Sequence, residues 1–202
     1  MTQKSSAPDL PQAGPGRNPN IAMQSAGTLV SSVLPFTEVL VVADCWQAEP
    51  DAEAVIHRAI HAAAEIVDAD VGEAELAVML TDDAGIRTLN SNWRGIDKPT
   101  NVLSFPALQP SASAPADAPR MLGDIAIAYE TTRKEADDAE KPFDHHLSHL
   151  AIHGFLHLIG YDHEKDDDAE AMEGLEREIL AQLGIPDPYA DRDPYADRER
   201  MD

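Results

Sequence analysis

Hydrophobic and polar positions follow two different periods along the chain from about residue 37 onward. Short apolar runs predict four β-strands, at 37–44, 75–82, 102–105 and 124–129. Apolar residues that recur every three or four positions predict helices over 51–68 and 167–183, and two further helices are predicted, a polar one over 130–140 and an apolar one over 145–159. A further helix follows the second strand, because Ile86, Leu89 and Trp93 form one apolar stripe. The segment 145–159 is apolar on nearly every side, which is typical of a helix buried at the centre of a domain.

Both ends of the chain lack such a period. Residues 1–36 are rich in Pro, Ser, Gly and Gln, and we predict a disordered N-terminal extension. At the other end, the hexapeptide Asp187-Pro-Tyr-Ala-Asp-Arg192 is repeated as residues 193–198. Two short copies carry too little apolar surface to fold, so 187–202 is predicted to be a disordered, acidic, duplicated tail. The folded domain is expected to span 37–186, with a flexible loop near 107–121.

The composition restricts the compartment and the partners of the chain. A single cysteine, Cys45, permits no internal disulfide, and the sequence contains neither an apolar run that could span a bilayer nor a leader. We therefore expect a cytoplasmic protein without a membrane partner. The formal charge of −22 argues against a nonspecific nucleic-acid binder, because such proteins normally have a basic face.

The acidic residues are unevenly distributed. Residues 162–202 carry 15 acidic and 5 basic side chains, whereas Arg87, Arg94 and Lys98 against Asp97 leave 86–105 with a net charge of +2. We expect a local positive groove on an acidic body.

Three histidines near residue 160 have the spacing of a metal site. His153 and His157 are four residues apart on a predicted helix, so both imidazoles lie on one face, about 6 Å apart along the axis. Gly160 allows the chain to end the helix and turn, which brings His163 back as a third ligand. Three imidazoles that leave one coordination position for water are typical of catalytic zinc. The pattern predicts one Zn²⁺ per chain.

The other histidines show how specific this signal is. His57 and His61 also stand four apart, but no third ligand lies within sequence reach, and we interpret them as half-exposed helix residues. Six of the eight histidines fall between 145 and 163, which favours a metal site over core histidines held by hydrogen bonds. His149 extends the series but cannot converge on the same ion. We expect it to support the ligands or to face the substrate.

The same spacing occurs in metzincin proteases, whose general base is a glutamate directly after the first histidine. Gly154 occupies that position here, and it cannot accept a proton from a metal-activated water. The pattern therefore predicts the metal geometry without the residue that peptide hydrolysis needs, and it indicates a different electrophile.

Two further segments complete the pattern. Residues 89–106 read Leu-Asn-Ser-Asn-Trp-Arg-Gly-Ile-Asp-Lys-Pro-Thr-Asn-Val-Leu-Ser-Phe-Pro, and residues 122–125 read Leu-Gly-Asp-Ile. Together with the histidine segment 153–163, these blocks resemble the YbeY family of bacterial endoribonucleases and ribosomal RNA maturation factors. The blocks occur in the family's order, and the resemblance covers about residues 37–184.

The resemblance implies both a fold and an activity. The implied fold is a single compact α+β domain, with a small mixed β-sheet packed against helices and a buried central metal-binding helix. The implied activity is zinc-dependent hydrolysis of single-stranded RNA, in maturation of the 3′ end of small-subunit ribosomal RNA and in ribosome quality control. Ribosomal RNA, the small ribosomal subunit and its assembly factors are the implied partners, and no DNA substrate is expected. By position, the metal ligands fall on His153, His157 and His163, and the functional arginine falls on Arg94.

Arg94 has a chemical reason to act in this reaction. Phosphodiester cleavage builds negative charge on the non-bridging oxygens, and a planar guanidinium can contact two of them at once. The alternative for Arg94 is an ion pair with Asp97. Lys98 is either a phosphate contact or a solvated loop residue. Asp162 and His149 are candidate proton carriers. The alternative for Asp162 is to orient a ligand imidazole by a hydrogen bond.

Two other classes of function stay open. A metalloprotease would need another glutamate to replace the missing base. A noncatalytic ribosome-assembly factor would use zinc only for folding, but structural zinc normally has four protein ligands, and no cysteine lies near the three histidines.

Overall fold

The structure of the protein is a computed structural model, and it describes residues 34–67, 71–107, 120–163 and 165–190. Four strands and five α-helices occur in this part of the chain. In order they are β1 (Phe36–Val41), α1 (Ala52–Ile66), β2 (Ala74–Thr81), α2 (Asp83–Arg94), β3 (Val102–Pro106), β4 (Arg120–Ala128), α3 (Tyr129–Asp138), α4 (Phe143–Leu158) and α5 (Asp166–Gln182). A short 3-10 helix, Asp44–Ala48, precedes α1.

The strands form one mixed sheet in the order β1-β2-β4-β3. β2 runs parallel to both of its neighbours, β1 and β4, and β3 pairs with β4 in the antiparallel direction. Parallel neighbours require a crossover connection, and α1 provides the one between β1 and β2. The predicted α+β domain with a small mixed sheet is confirmed.

The helix α4 lies at the centre of the main core. It contacts α1, α3 and α5 as well as β3 and β4, and Leu147, Ile152 and Phe155 are at most 1% exposed. It approaches the sheet closely at Gly154, where a Cβ would lie 2.9 Å from Cγ2 of Ile125. The prediction that this helix is buried at the centre of the domain is confirmed.

The helix α2 packs on β3 and β4 over a second, smaller core. Ile86 is fully buried there, but Trp93, which was predicted to continue the same apolar stripe, is 72% exposed. The helix is confirmed, and its apolar stripe continues beyond the second core, which consists of only four buried residues. Such a small cluster does not extend far enough to cover the last turn of the helix.

The ends of most predicted elements agree with the structure to within a few residues. β4 is the main exception, because it begins at Arg120, inside the segment that was predicted to be a loop. The predicted N-terminal extension, apart from 34–36, the loop residues 108–119 and the tail residues 191–202 lie outside the described residues. Within the described ranges, none of the helices is long and apolar enough to cross a membrane.

Candidate metal centre and the cleft around it

The helix α4 carries two of the three predicted metal ligands. The rings of His153 and His157 have their centroids 4.6 Å apart. The helix ends at Leu158, and Gly160 then adopts a φ of 99°, a conformation that residues with side chains rarely adopt. The turn brings His163 to 5.5 Å from His153 and 5.0 Å from His157, measured between ring centroids. The structure thus brings together the three residues that the spacing predicted.

The three imidazoles converge with the geometry of a metal site. One ring nitrogen of each lies within 4.8 Å of those of the others, and Nε2 of His153 is 3.1 Å from Nε2 of His157. Two nitrogens bound to one tetrahedral zinc at about 2.0 to 2.1 Å would be about 3.3 Å apart. The group can therefore hold a metal ion, and its three nitrogen donors suit zinc.

The partners of two of the rings leave Nε2 free to bind a metal. Nδ1 of His157 is 2.9 Å from the carbonyl oxygen of Tyr161, which can only accept a hydrogen bond, so Nδ1 carries the proton. Burial lowers the pKa of His157, and the charges of His153 and His163 lower it further. The ring is therefore neutral near neutral pH, as metal binding requires.

Glu176 of α5 accepts the hydrogen bond from Nδ1 of His153, as the Tyr161 carbonyl does for His157. The Glu176 carboxylate is fully buried, and its Oε1 is 2.8 Å from Nδ1 of His153. Its Oε2 is 3.3 Å from Nε2 of His149 and also accepts a hydrogen bond from the Tyr189 hydroxyl. Carboxylates that bind the second nitrogen of a ligand histidine fix its tautomer and its orientation.

The ionisation of Glu176 agrees with this role. Burial alone would raise the pKa of a carboxyl group, but the hydrogen bonds from His149 and His153, the charge of His149 and the Tyr189 hydroxyl outweigh it and lower the pKa to about 2. An ionised carboxylate can only accept hydrogen bonds. His153 must therefore donate from Nδ1, which leaves its Nε2 lone pair for the metal.

Glu176 was not predicted as a site residue, although its position in α5 carries one signal. Glu176 lies on the apolar stripe of α5, four residues after Met172 and three before Ile179, both of which are buried. A charged residue on a buried stripe needs a specific partner. The sequence alone did not show that this partner would be the metal-binding helix.

Replacing Glu176 with glutamine is expected to weaken zinc binding by roughly 10- to 100-fold. Glutamine has the same size, but its amide can donate as well as accept, so the His153 tautomer is no longer fixed. Competition with a chromophoric chelator measures the affinity. Glu178→Gln is the matched control, because it makes the same charge change at an exposed position of the same helix. Equal zinc affinity in Glu176→Gln and wild type would contradict this role.

The first residues of the predicted tail contact the domain. The Tyr189 hydroxyl donates a hydrogen bond to Glu176. Nζ of Lys141 donates to the carbonyl oxygen of Pro188 at 3.0 Å, and the Arg177 guanidinium lies 5.4 Å from the centre of the Tyr189 ring. Contacts with the domain therefore extend to Tyr189, beyond the predicted boundary at 186. The reason is that Tyr189 provides a hydrogen-bond donor to a buried carboxylate, which hydrophobic patterning does not detect.

Arg94 lies in the same cleft as the three histidines. This cleft, here called the metal cleft, has a volume of about 540 Å³. Its lining comes from the end of α2, from β3 and the loop before it, from α4, and from the turn at 160–163. The structure thus brings together the predicted metal ligands and the predicted catalytic arginine.

Asp97 does not pair with Arg94. Its carboxylate accepts hydrogen bonds from Arg87 instead, 2.6 Å from Nε and 2.8 Å from Nη2, and these lower the pKa of Asp97. None of the arginine ion pairs in the described part of the chain involves Arg94. The Arg94 guanidinium is therefore available to an anion in the metal cleft.

The remaining candidate residues occupy different settings. Asp162 lines the metal cleft, and its Oδ1 accepts a hydrogen bond of 2.7 Å from the backbone N–H of His163. This bond holds the turn that carries the third ligand, and it does not involve a ligand imidazole. His149 supports Glu176 and is not part of the cleft lining. Lys98 is exposed and also lies outside the lining.

The metal cleft contains few formal charges. Histidines aside, Arg94 and Asp162 are its charged lining residues among those that the structure describes. Arg87, which was predicted to contribute to a positive groove, is paired with Asp97 and does not line the cleft. The formal charges of Arg94 and Asp162 offset each other, so with neutral histidines a net positive charge in the cleft requires a bound cation.

Comparisons with known proteins agree with the resemblance seen in the sequence. The family model described as Endoribonuclease YbeY matches residues 43–184. Endoribonuclease YbeY of Rhodopseudomonas palustris strain BisB18 is 79% identical over 159 residues, which cover 79% of this chain and 95% of the relative. Endoribonuclease YbeY of Bradyrhizobium diazoefficiens strain USDA 110 is 82% identical over 160 residues, which cover 79% and 87% of the two chains. The solution structure of TM1509 from Thermotoga maritima covers 79% of this chain and 98% of its own, with 24% identity and a TM-score of 0.45. On the family model and the curated relatives, this chain belongs to the endoribonuclease YbeY family.

Proposed function

We propose that this chain is a zinc-dependent endoribonuclease that cleaves single-stranded RNA in the metal cleft. Membership of the family makes it an RNA-cleaving hydrolase with a role in ribosomal RNA maturation. The proposal adds the metal, the preference for single strands and the residues that act. The observation that carries it is the shared lining, because His153, His157, His163 and Arg94 all border one cleft.

Each of these residues has a distinct task. His153, His157 and His163 would hold a zinc ion, which would supply Lewis acidity, either by lowering the pKa of a water molecule or by polarising a phosphoryl oxygen. Glu176 and the carbonyl of Tyr161 keep His153 and His157 in the tautomers that bind the ion. Arg94 binds the phosphate and stabilises the negative charge that develops on its oxygens in the transition state. Of the two proton carriers considered, Asp162 lines the cleft and His149 does not.

The geometry also argues against the two alternative classes. A metalloprotease would need another glutamate to replace the base that Gly154 cannot provide, and none of the described residues that line the metal cleft is a glutamate. A noncatalytic assembly factor with structural zinc would normally offer four ligands. The metal-binding group found among the described residues offers three, in an open cleft.

The biological setting follows from the family. We propose that the substrate is the 3′ end of small-subunit ribosomal RNA, and that the protein also acts in ribosome quality control in the cytoplasm. The small ribosomal subunit and its assembly factors are the proposed partners. Since the chain has a formal charge of −22, part of its affinity for ribosomal RNA must come from such partners and from the metal cleft.

Cleavage of end-labelled RNA by purified protein tests this function. The zinc-loaded protein is expected to cut a single-stranded RNA internally and to leave intact both the same RNA annealed to its complement and the DNA of the same sequence. A chelator should abolish cleavage, and added zinc should restore it.

A His153→Ala protein, purified in the same way, distinguishes this activity from a contaminating nuclease. Because it lacks one ligand, it is expected to show no zinc-dependent cleavage. If the variant cuts RNA as fast as wild type, the cleavage does not come from the metal cleft. Zinc-dependent digestion of casein without RNA cleavage would instead support a protease.

A further inference from the structure

The exposed indole of Trp93 has no task in the proposed mechanism. The chain has two tryptophans, of which Trp46 is 2% exposed and Trp93 is 72% exposed. Nε1 of Trp46 donates to the carbonyl oxygen of Thr81 at 2.8 Å, as is usual for a buried indole. An indole in water forgoes a large hydrophobic stabilisation. The exposure of Trp93 therefore points to a ligand that covers it.

Trp93 lines a second cleft, here called the aromatic cleft. Its volume is about 710 Å³, and Leu40, Met79, Leu89 and Phe105 are among its apolar lining residues. The ring centroids of Trp93 and Phe105 are 5.7 Å apart, and the two planes are inclined at 58°. Because Phe105 belongs to β3, the indole is supported by a strand of the sheet.

The aromatic cleft adjoins the metal cleft. Arg94, Leu103, Ser104 and Pro106 line both of them. Trp93 and Arg94 are also consecutive residues in the last turn of α2. An elongated ligand can therefore occupy both clefts, with a planar apolar group at Trp93 and an anionic group at Arg94.

A nucleotide of single-stranded RNA contains both of these groups. Its base has an apolar face that stacks on aromatic side chains, whatever the sequence, and its phosphate carries the negative charge. In a duplex, the neighbouring bases cover both faces of each base. Only an unpaired, unstacked base can reach an aromatic side chain of the protein.

The charge of the chain also favours stacking as a source of affinity. With a formal charge of −22, the protein cannot rely on a broad basic surface to bind a polyanion. In the parts of the two clefts that the structure describes, Arg94 is the one lysine or arginine in the lining. Base stacking contributes affinity without further positive charge.

We propose that Trp93 forms a base-stacking subsite for single-stranded RNA. The indole stacks on one nucleobase, and the backbone beside that base runs past Arg94 into the metal cleft. This inference rests on the proposed function and deepens it, because it names the group that selects a single strand. A second copy of this chain or an apolar protein segment would cover Trp93 but would bring no phosphate to Arg94.

Tryptophan fluorescence of the zinc-loaded protein tests the contact directly. A short, 2′-O-methylated single-stranded RNA is expected to quench the emission of wild type, and Trp93→Phe should abolish this change with little loss of affinity. Trp93→Ala should weaken binding by roughly 5- to 150-fold, measured by anisotropy of labelled RNA. Stopped-flow mixing records binding before turnover. Phe36→Ala is the matched control, because Phe36 is an aromatic residue that is 65% exposed and lies outside the lining of both clefts. The Phe36→Ala protein should bind RNA with the affinity of wild type.

Two further measurements separate stacking from charge. The affinity of wild type is expected to depend weakly on salt, with a slope of log K against log salt of about −0.7 for each phosphate neutralised. Trp93→Ala should keep this slope. RNAs that carry one abasic nucleotide at successive positions give a second test. At one position, the abasic nucleotide should lower the affinity of wild type as much as Trp93→Ala does. At that position it should not lower the affinity of Trp93→Ala any further.

Three results would overturn the subsite. The first is that Trp93→Ala binds RNA with the affinity of wild type. The second is that the losses of affinity from Trp93→Ala and from the abasic nucleotide add at every position. The third is that the emission of Trp93 changes only when the protein forms a concentration-dependent dimer. If Trp93→Ala binds and cleaves like wild type, the subsite fails and the proposed function stands. If wild type shows quenching by RNA but no cleavage, the proposed function fails and the subsite stands.

Discussion

Replacing Arg94 with alanine is expected to lower the rate of RNA cleavage by roughly 10² to 10³. The guanidinium is the group in the metal cleft that can stabilise charge on the phosphate oxygens, and no carboxylate of the described residues holds it in an ion pair. Zinc content and melting temperature should stay unchanged, because Arg94 is exposed and does not contribute to the core. Single-turnover cleavage of labelled RNA measures the effect.

A lysine at position 94 should restore only part of the rate, because an ammonium group cannot make the two-pronged contact of a guanidinium. Arg87→Ala is the matched control. It removes the same charge from the same helix, but Arg87 pairs with Asp97 and lies outside the metal cleft. A zinc-loaded Arg94→Ala protein that cleaves at the wild-type rate would exclude a catalytic role for Arg94.

Replacing His157 with alanine is expected to reduce bound zinc well below one ion per chain and to abolish zinc-dependent cleavage. The substitution removes one of three ligands, together with the hydrogen bond to the Tyr161 carbonyl that orients it. Elemental analysis of the purified protein measures the zinc. Full occupancy in the variant would show that the ligand set is wrong.

The melting temperature provides an independent readout for the same variant. A ligand that binds only the folded state stabilises it by about 2.7 kcal/mol at 100 times its Kd, which for a chain of this size raises the melting temperature by about 5 to 11 °C. Added zinc should therefore stabilise wild type and leave His157→Ala unchanged. His57→Ala is the matched control, because His57 and His61 form a second pair of neighbouring helix histidines outside the metal centre. The centroids of these two rings are 6.1 Å apart.

The sequence predicted the residues whose chemistry depends on local spacing. His153, His157 and His163 lie within one helix and one turn, so their convergence follows from the helical repeat and from the glycine at 160. Arg94 was placed by resemblance to a family. Spacing alone offered Asp97 as its partner, but Asp97 pairs with Arg87, ten residues away along the chain.

Contacts between distant segments could not be predicted in the same way. Glu176 meets His153 across 23 residues of sequence, and Tyr189 meets Glu176 across 13, so both contacts depend on how α5 and the following segment pack on α4. The hydrophobic pattern indicates which face of α5 is buried, but not which group it meets. The exposure of Trp93 could not be predicted for a related reason, because an apolar stripe indicates which face of a helix packs but not how far the opposite surface extends.

A peptidase cannot be made from this scaffold by one substitution at Gly154. The side chain of a glutamate there would start 2.9 Å from Ile125 and 3.2 Å from Ser104, two residues of adjacent strands, so these side chains or α4 itself would have to shift. A shift of α4 would displace His153 and His157, which are on the same helix. The absence of a side chain at Gly154 thus links the position of two metal ligands to the spacing of helix and sheet, and a glutamate at this position would need the surrounding residues to repack.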